Sequence, residues 1–262
     1  MPGAPEAGFA AFLDGTQASQ VVAWYKSAPL VLGQVAAAVR ARRGRQLSAW
    51  RPPLREERLY VPFPYVPRDV LLESFGSALR DTAPLDGDGA YPTPHPLTLL
   101  ECAKRAVSHD RDALERRLAE AWCAAESTPL YIDGGIGTTE VVARSSCVVG
   151  VVKSHHTLYA QQAALETVLA LRAGERSSVI RISPRGLPVL SWYLRLRDAG
   201  GHDALWGLVR VEVAEQSNVT VRADMVSRWV LAEGRPLSAP DARWDKMAYG
   251  IRNAEEFLRA IR

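Results

Sequence analysis

The sequence predicts an α/β domain with a mixed central sheet flanked by helices, and three observations support this. Short apolar runs near the N-terminus are separated by turn residues, which predicts antiparallel strands. Helical periodicity extends from Leu97 to Ala125. The stretch CVVGVVK at 147–153 contains unbroken valines, which indicates a strand buried on both faces. Because 262 residues are enough for one large core, we treat 1–262 as a single domain.

The N-terminal region predicts a β-meander. Residues 8–24, GFAAFLDGTQASQVVAW, read as an apolar strand, a polar DGTQ interruption and a second strand entered at Val21. A third strand is expected over Gln34–Arg42. From about 50 to 96, prolines and glycines crowd together in PFPYVP, PLDGDG and YPTPHP, which predicts a loop-rich insertion outside the core with one short helix at Asp69–Leu79.

The second half of the chain alternates between predicted helices and strands. The helix over Leu97–Ala125, with a possible break near Ser108, places one apolar stripe against the sheet: Leu114, Leu118, Ala121, Trp122 and Ala125. A compact strand in TPLYIDGG ends at Asp133. Further strands are expected in SVIRIS, LSWYLRL and LWGLVRVEVA, and helices at about Leu158–Arg172, Ala223–Ala232 and Asn253–Ile261. A meander, then a helix, then a central strand beside the first is typical of a ribonuclease-H-like core, although other α+β folds share this order.

Bulk properties exclude some classes of protein. An apolar fraction of 47% argues against disorder, and the sequence lacks both a signal-peptide pattern and an apolar run long enough for a membrane span, so a cytoplasmic location is expected. Three scattered cysteines without a CxxC pair argue against a disulfide framework or a zinc knuckle. The net charge of +3 and pI of about 8.8 are compatible with a polyanionic partner without establishing one.

Two Asp-Gly pairs, Asp14-Gly15 and Asp133-Gly134, each follow an apolar run, in FLDG and YIDG. Two adjacent strands ending in this way bring carboxylates together, and a cation relieves their repulsion. Mg²⁺ or Mn²⁺ prefers oxygen ligands, and such ions activate water for phosphodiester hydrolysis. Asp-Gly is also the usual way to turn after a strand, so a purely structural explanation remains open.

The long helix supplies a third carboxylate candidate. Glu115 borders the apolar stripe, and Arg111 lies one turn earlier, where it can pair with it. Glu120 lies farther from the stripe. Either residue is also explained as a solvated helix glutamate.

These motifs, taken in order, resemble the NurA family of DNA-end-resection nucleases. FLDGTQ resembles the family's first Asp-Gly strand, RDALERRL its Arg-x-x-x-Glu helix, and YIDGG with VVGVVKSH its second Asp-Gly strand and the lysine-ending strand after it. The similarity extends to SWYLRL, LVRVEV and MAYGIRNAEEFL. It implies a DNA nuclease that uses Mn²⁺ or Mg²⁺, acts as a homodimer and works with a HerA-type hexameric ATPase that translocates DNA, in end resection or phage defence.

The resemblance also implies site residues. Asp14, Glu115 and Asp133 are the expected metal ligands and catalytic carboxylates, and Glu212 in VRVEV corresponds to a further acidic position. Where the family has Tyr-Pro and then Ala-His, this chain has Tyr249-Gly250 and Ala254-Glu255. Glu255 therefore either replaces the histidine as a ligand or leaves the activity weakened.

Basic residues provide candidates for nucleic-acid binding. Arg40, Arg42 and Arg43, with Arg45, form a cluster suited to backbone phosphates, although a solvated hairpin tip has the same composition. Lys153 ends an apolar strand, where it can reach the scissile phosphate or simply cap the strand.

The sequence thus favours a metal-dependent deoxyribonuclease. Two alternatives remain open: a catalytically decayed nucleic-acid-binding or assembly subunit with the same fold, and a phosphatase-like or nucleotide hydrolase that uses the same carboxylates on a small substrate.

Overall fold

The structure, a computed structural model, describes residues 3–83, 95–155, 157–234 and 244–261. Within these residues, strands form one mixed sheet with helices on both faces. The strands are β1 (Ala11–Tyr25), β2 (Ala28–Arg43), β3 (Gln46–Ala49), β4 (Leu54–Val61), β5 (Leu79–Asp81), β6 (Leu130–Asp133), β7 (Val148–Val152), β8 (Ile180–Ile182), β9 (Val189–Arg195) and β10 (Leu208–Val213). The helices are α1 (Arg68–Phe75), α2 (Pro96–Ala125), α3 (Glu140–Ala143), α4 (Gln162–Leu169), α5 (Val219–Glu233) and α6 (Tyr249–Ala260).

The sheet order is β5-β4-β2-β1-β6-β7-β10-β9-β8, with β3 also paired to β2. Strands β1, β6 and β7 are parallel neighbours, whereas β2 is antiparallel to β1 and β10 is antiparallel to β7. The predicted α/β class, with a mixed central sheet between helices, is therefore confirmed. The expectation that the strand ending at Asp133 lies beside the first strand is confirmed as well.

Strand β1 is longer than the sequence indicated. The expected interruption at DGTQ is wrong, because β1 continues without a break and Asp14–Gln17 pair with Val35–Ala38 of β2. The expected third strand at Gln34–Arg42 is the second half of β2. A long partner strand supplies hydrogen bonds along this whole segment, so Asp14-Gly15 makes no turn.

The region from about 50 to 96 is not only an insertion. Strand β4 pairs with β2, and its end is buried at Leu59, Tyr60 and Val61, so the expectation of a segment outside the core is wrong there. The Tyr60 hydroxyl donates to Asp110 on α2 over 2.9 Å, which ties β4 to the long helix. The predicted short helix is α1, which ends before Gly76. Residues 84–94, which include PLDGDG and most of YPTPHP, lie outside the described residues.

Helix α2 is one uninterrupted helix of 30 residues, so the break considered near Ser108 does not occur. The Ser108 hydroxyl accepts a hydrogen bond from Gln17 of β1 over 2.9 Å. Leu114, Leu118 and Trp122 are buried as predicted, whereas Ala121 and Ala125 of the proposed stripe are not. No described helix, α2 included, combines the length and apolar character needed to cross a membrane.

The two faces of the sheet have separate cores. Leu13 and Ile132 belong to the core under α2, whereas Phe12 and Tyr131 belong to the core under α5 and α6. The three strands predicted after residue 175 are present as β8, β9 and β10, and β7 is buried on both faces as expected. Helix α4 is shorter than predicted, while α5 and α6 begin four residues earlier than expected.

Helix α6 packs very closely on β1 at Gly250. A Cβ atom added there would lie 2.2 Å from the Phe12 ring, which is itself fully buried. We expect Gly250→Ala to lower the free energy of unfolding by about 1–3 kcal/mol, the usual range for overpacking a filled core. Urea unfolding measures this change. Gly234→Ala is the control, because a Cβ there meets its nearest atom at 3.5 Å; equal losses in both variants would contradict the close α6 contact.

Candidate metal centre

Asp14, Asp133 and Lys153 lie at the same edge of three adjacent parallel strands. Leu13 of β1 is paired with Ile132 of β6, so the next residues along both strands are the two aspartates. Asp133 is paired in turn with Val151 of β7, and Lys153 directly follows that strand. Parallel strands present their carboxyl ends at one edge of a sheet, which is where α/β proteins bind ligands.

Asp14 is a buried carboxylate with incomplete hydrogen bonding. Its side chain is 7% exposed, Oδ1 accepts the Gly15 N–H over 2.9 Å, and Oδ2 is buried without a hydrogen-bond partner among the residues that the structure describes. Burial raises the pKa of Asp14 well above its usual value, and the charges of Asp133, Glu115 and Glu255 raise it further, against the lowering effect of Lys153. The negative charge of ionised Asp14 is thus only partly balanced by hydrogen bonds and nearby positive charge in the folded protein.

Asp133 ends β6 as the sequence predicted, and its charge is balanced by Lys153. Lys153 Nζ lies 2.8 Å from Asp133 Oδ2, and both side chains are largely buried. Gly134 follows with φ of +137°, a conformation that favours glycine, and turns the chain away from the edge. Lys153, which the sequence places near a scissile phosphate, is therefore the counterion of Asp133.

Glu115 lies on α2, which packs against the sheet beside Gly15. A Cβ atom on Gly15 would lie 2.3 Å from Glu115 Oε1, so only glycine beside Asp14 leaves room for this carboxylate. Arg111 Nε lies 3.3 Å from the same oxygen, which confirms the predicted pairing within α2. Gly15, next to Asp14, thus leaves space beside β1 for the Glu115 carboxylate of α2.

Burial raises the pKa of Glu115 from its ordinary value of 4.5 to about 7, against the lowering effect of Arg111. Because the folded state holds this proton more tightly, the stability it contributes is complete below about pH 4.5 and is lost as the pH rises through about 7. We expect wild-type protein in chelator to lose about 3 kcal/mol more than Glu115→Gln between pH 4.5 and 7.5. Urea unfolding across this range measures the difference. Parallel pH profiles for the two proteins would contradict the raised pKa.

Of the two further acidic candidates, Glu255 lies near Asp14 and Glu212 has a separate setting. Glu255 on α6 is 8% exposed, and its charge contributes to the raised pKa of Asp14. Glu212 on β10 is fully buried: its Oε2 accepts the Ile136 N–H over 2.9 Å, and Arg210 donates to its Oε1 over 2.8 Å. Both oxygens of Glu212 therefore have partners, and Oε2 holds the loop that follows Asp133.

Two of the predicted nucleic-acid-binding arginines are bonded within the protein. Arg42 donates to both carboxylate oxygens of Glu233 over 2.8 Å. Arg40 donates to Asn253 over 2.9 Å and lies over the Phe257 ring. Arg43 is exposed. Since Ala38 is paired with Asp14, Arg43 is five residues farther along β2, roughly 17 Å from the carboxylates at the usual strand rise.

A cavity of about 180 Å³ adjoins the carboxylates on the α2 side. Glu115 and Asp133 contribute to its wall together with Arg111, Arg116 and Arg185. Sequence reasoning named Arg111 only as a partner of Glu115 and overlooked the other two arginines. Arg185 is in the β8–β9 connection, far from α2 in the chain, and no local pattern in SPRGL indicates that it meets this helix.

The donor chemistry of the site fits a hard divalent cation. Within the ranges that the structure describes, no three acidic, histidine or cysteine side chains are grouped as ligands of one ion. Asp14 Oδ2 nevertheless lacks a partner, and three neighbouring carboxylates raise the pKa of Asp14. A cation would supply the missing partner and relieve this repulsion. Asp14 and Asp133 would hold it, and Glu115 is the candidate for a third ligand.

No protein-family model matches this chain, and no curated protein matches it at a significant level. The chemical interpretation of the site therefore depends on the residues of the chain itself.

Proposed function

We propose that the chain is a deoxyribonuclease that hydrolyses phosphodiester bonds with the help of Mn²⁺ or Mg²⁺. The observation that carries the proposal is the pairing of Leu13 with Ile132, which makes Asp14 and Asp133 neighbours while Gly15 admits Glu115. When bound, the ion activates a water molecule and stabilises the leaving oxygen of the phosphodiester.

The arrangement of the strands supports a ribonuclease-H-like core. Strands β2, β1, β6 and β7 are neighbours in that order, β2 is antiparallel to the other three, and α2 connects the meander to β6. Carboxylates on the first strand, on the connecting helix and on the next central strand agree with such a core. The similarity of the motifs to NurA nucleases points in the same direction.

The chain's own residues have distinct parts in this proposal. Asp14 and Asp133 hold the cation at the sheet edge, and Glu115 completes the oxygen donors from the α2 side. Lys153, 2.8 Å from Asp133, is the cationic side chain that would contact a phosphate oxygen of the substrate. Glu255 lies close enough to influence Asp14 and is the candidate for the position where similar nucleases have histidine.

The partners are proposed from the motif resemblance. DNA is the substrate, a HerA-type hexameric ATPase delivers it, and the nuclease acts as a homodimer in end resection or phage defence. Co-purification of the two proteins from cells that express both tests the partnership.

A cleavage assay on labelled single- and double-stranded oligonucleotides, in Mn²⁺, Mg²⁺ or chelator, tests the activity. We expect cleavage by the wild type in metal and loss of cleavage in Asp133→Ala. Asp69→Ala is the matched control, because Asp69 is exposed on α1. Retained cleavage by both Asp14→Ala and Asp133→Ala, in preparations free of contaminating nuclease, would reject the site.

A second candidate function is a nucleic-acid-binding or assembly subunit whose site has decayed. Glu255, at the position where similar nucleases have histidine, is the feature that favours it. DNA binding that weakens with salt, without cleavage in either metal or in the presence of the translocase, would support this alternative. Release of phosphate from nucleotides without DNA cleavage would instead indicate the small-substrate hydrolase.

A further inference from the structure

The cavity beside the carboxylates has the size of an anion site. Its volume of about 180 Å³ is smaller than typical pockets for small organic ligands. It therefore suits a phosphate group with some water. Asp133 and Glu115 form one part of its wall, so an anion there would lie directly beside the proposed metal centre.

Arg185 is the cationic side chain most available to such an anion. It is exposed, and it makes no hydrogen bond or ion pair with any residue in the described ranges. The neighbouring Gly186 has φ of +85°, so the chain turns at the residue after the arginine. Arg185 and Glu115 contribute to the wall of the same cavity, which places the arginine on the side of this carboxylate.

Arg111 contributes a second guanidinium to the same cavity. Its Nη2 donates to Asp112 over 2.7 Å and its Nε lies 3.3 Å from Glu115 Oε1, so Arg111 is already partly neutralised and Arg185 is the more available of the two. Arg40 and Arg42 also have internal partners, and they lie along β2, away from this cavity. The available cationic groups next to the carboxylates are therefore on the α2 side of the sheet.

We propose that Arg185 and Arg111 form a binding subsite for a backbone phosphate of DNA next to the scissile bond. This inference rests on the proposed nuclease function. Guanidinium groups suit the role because their planar arrangement of N–H donors matches phosphate oxygens. Contacts to backbone phosphates carry no base preference. The DNA strand accordingly runs along the α2 side, past the β8–β9 connection, and not over the cluster at the end of β2.

Binding of labelled oligothymidylate, measured by fluorescence anisotropy in chelator over a series of salt concentrations, tests the subsite. We expect Arg185→Ala to weaken binding roughly fivefold and to reduce the slope of log affinity against log salt by about 0.7, the value for one phosphate contact with a single strand. Arg181→Ala is the matched control, because Arg181 is exposed four residues earlier and pairs with Glu215. It should leave both quantities unchanged.

The outcomes separate the subsite from the nuclease function. If the wild type cleaves DNA and Arg185→Ala keeps the wild-type salt slope, the subsite is rejected while the nuclease function survives. If the wild type binds without cleaving, the nuclease function fails, and a reduced slope in Arg185→Ala still supports the phosphate contact. If the wild type neither binds nor cleaves, both proposals are rejected.

Discussion

We expect Asp14→Asn to lose most of the proposed DNA cleavage and, in metal-free protein, to have a higher free energy of unfolding. The amide keeps the shape of the side chain but removes the buried charge that Asp133, Glu115 and Glu255 repel. We expect a loss of at least about a hundredfold in cleavage rate, as for removal of one strong electrostatic group from a catalytic site. The expected gain in stability is about 1 kcal/mol, because strained functional sites reduce stability. Cleavage rates in Mn²⁺ and urea unfolding in chelator measure the two effects.

Asp133→Asn is the matched control for this prediction. It should lose cleavage to a similar extent without gaining stability, since Lys153 would then lose the carboxylate 2.8 Å away and remain largely buried. A stability gain in both variants, or cleavage by Asp14→Asn within tenfold of the wild type, would contradict the electrostatic description of the site.

Glu212→Ala lowers the free energy of unfolding by about 3–5 kcal/mol, the cost of removing one partner from a buried ion pair. The substitution leaves the buried Arg210 without its counterion and the Ile136 N–H without its acceptor. Urea unfolding measures the loss. Glu215→Ala, which removes an exposed glutamate three residues later, should change stability by less than about 1 kcal/mol.

A second variant separates the structural role of Glu212 from a catalytic one. Glu212→Gln keeps an oxygen that accepts the Ile136 N–H, so we expect it to fold and to retain measurable cleavage. Complete loss of cleavage in a Glu212→Gln protein with wild-type stability would instead place Glu212 among the catalytic carboxylates, as the motif resemblance implies.

The sequence predicts the positions of Asp133 and Glu115, because local patterns determine both. Asp133 ends a short apolar strand because Gly134 turns the chain directly after it, and this is visible in YIDGG. Glu115 borders the buried stripe of α2 because of helical spacing, which is also local. These two positions were therefore accessible without a structure.

Asp14 shows where local reasoning fails. The pair Asp14-Gly15 in FLDG predicts the end of a strand. In the structure β1 continues to Tyr25, because β2 provides paired residues as far as Ala28. The strand's length depends on a pairing formed elsewhere in the chain. Asp14 nevertheless lies beside Asp133, because β6 pairs with β1 as far as Leu13 and Ile132.

The basic residues also show that a local sequence pattern does not reveal whether an arginine is available to a ligand. Arg40 and Arg42 formed an apparent phosphate-binding run, but contacts with α5 and α6, nearly 200 residues later, engage them both. Arg185 carries no motif, and only the tertiary fold brings it beside α2. Whether an arginine is available depends on partners that are distant in sequence.

The central claim is that Asp14 and Asp133, with Glu115, hold a divalent cation at the edge of the sheet. Anomalous diffraction from crystals soaked in Mn²⁺ tests it directly. We expect a manganese peak at coordination distance from both aspartate carboxylates, with Lys153 moved away from Asp133. Crystals at millimolar Mn²⁺ in which Asp14 has no manganese neighbour and Lys153 still pairs with Asp133 would contradict the claim.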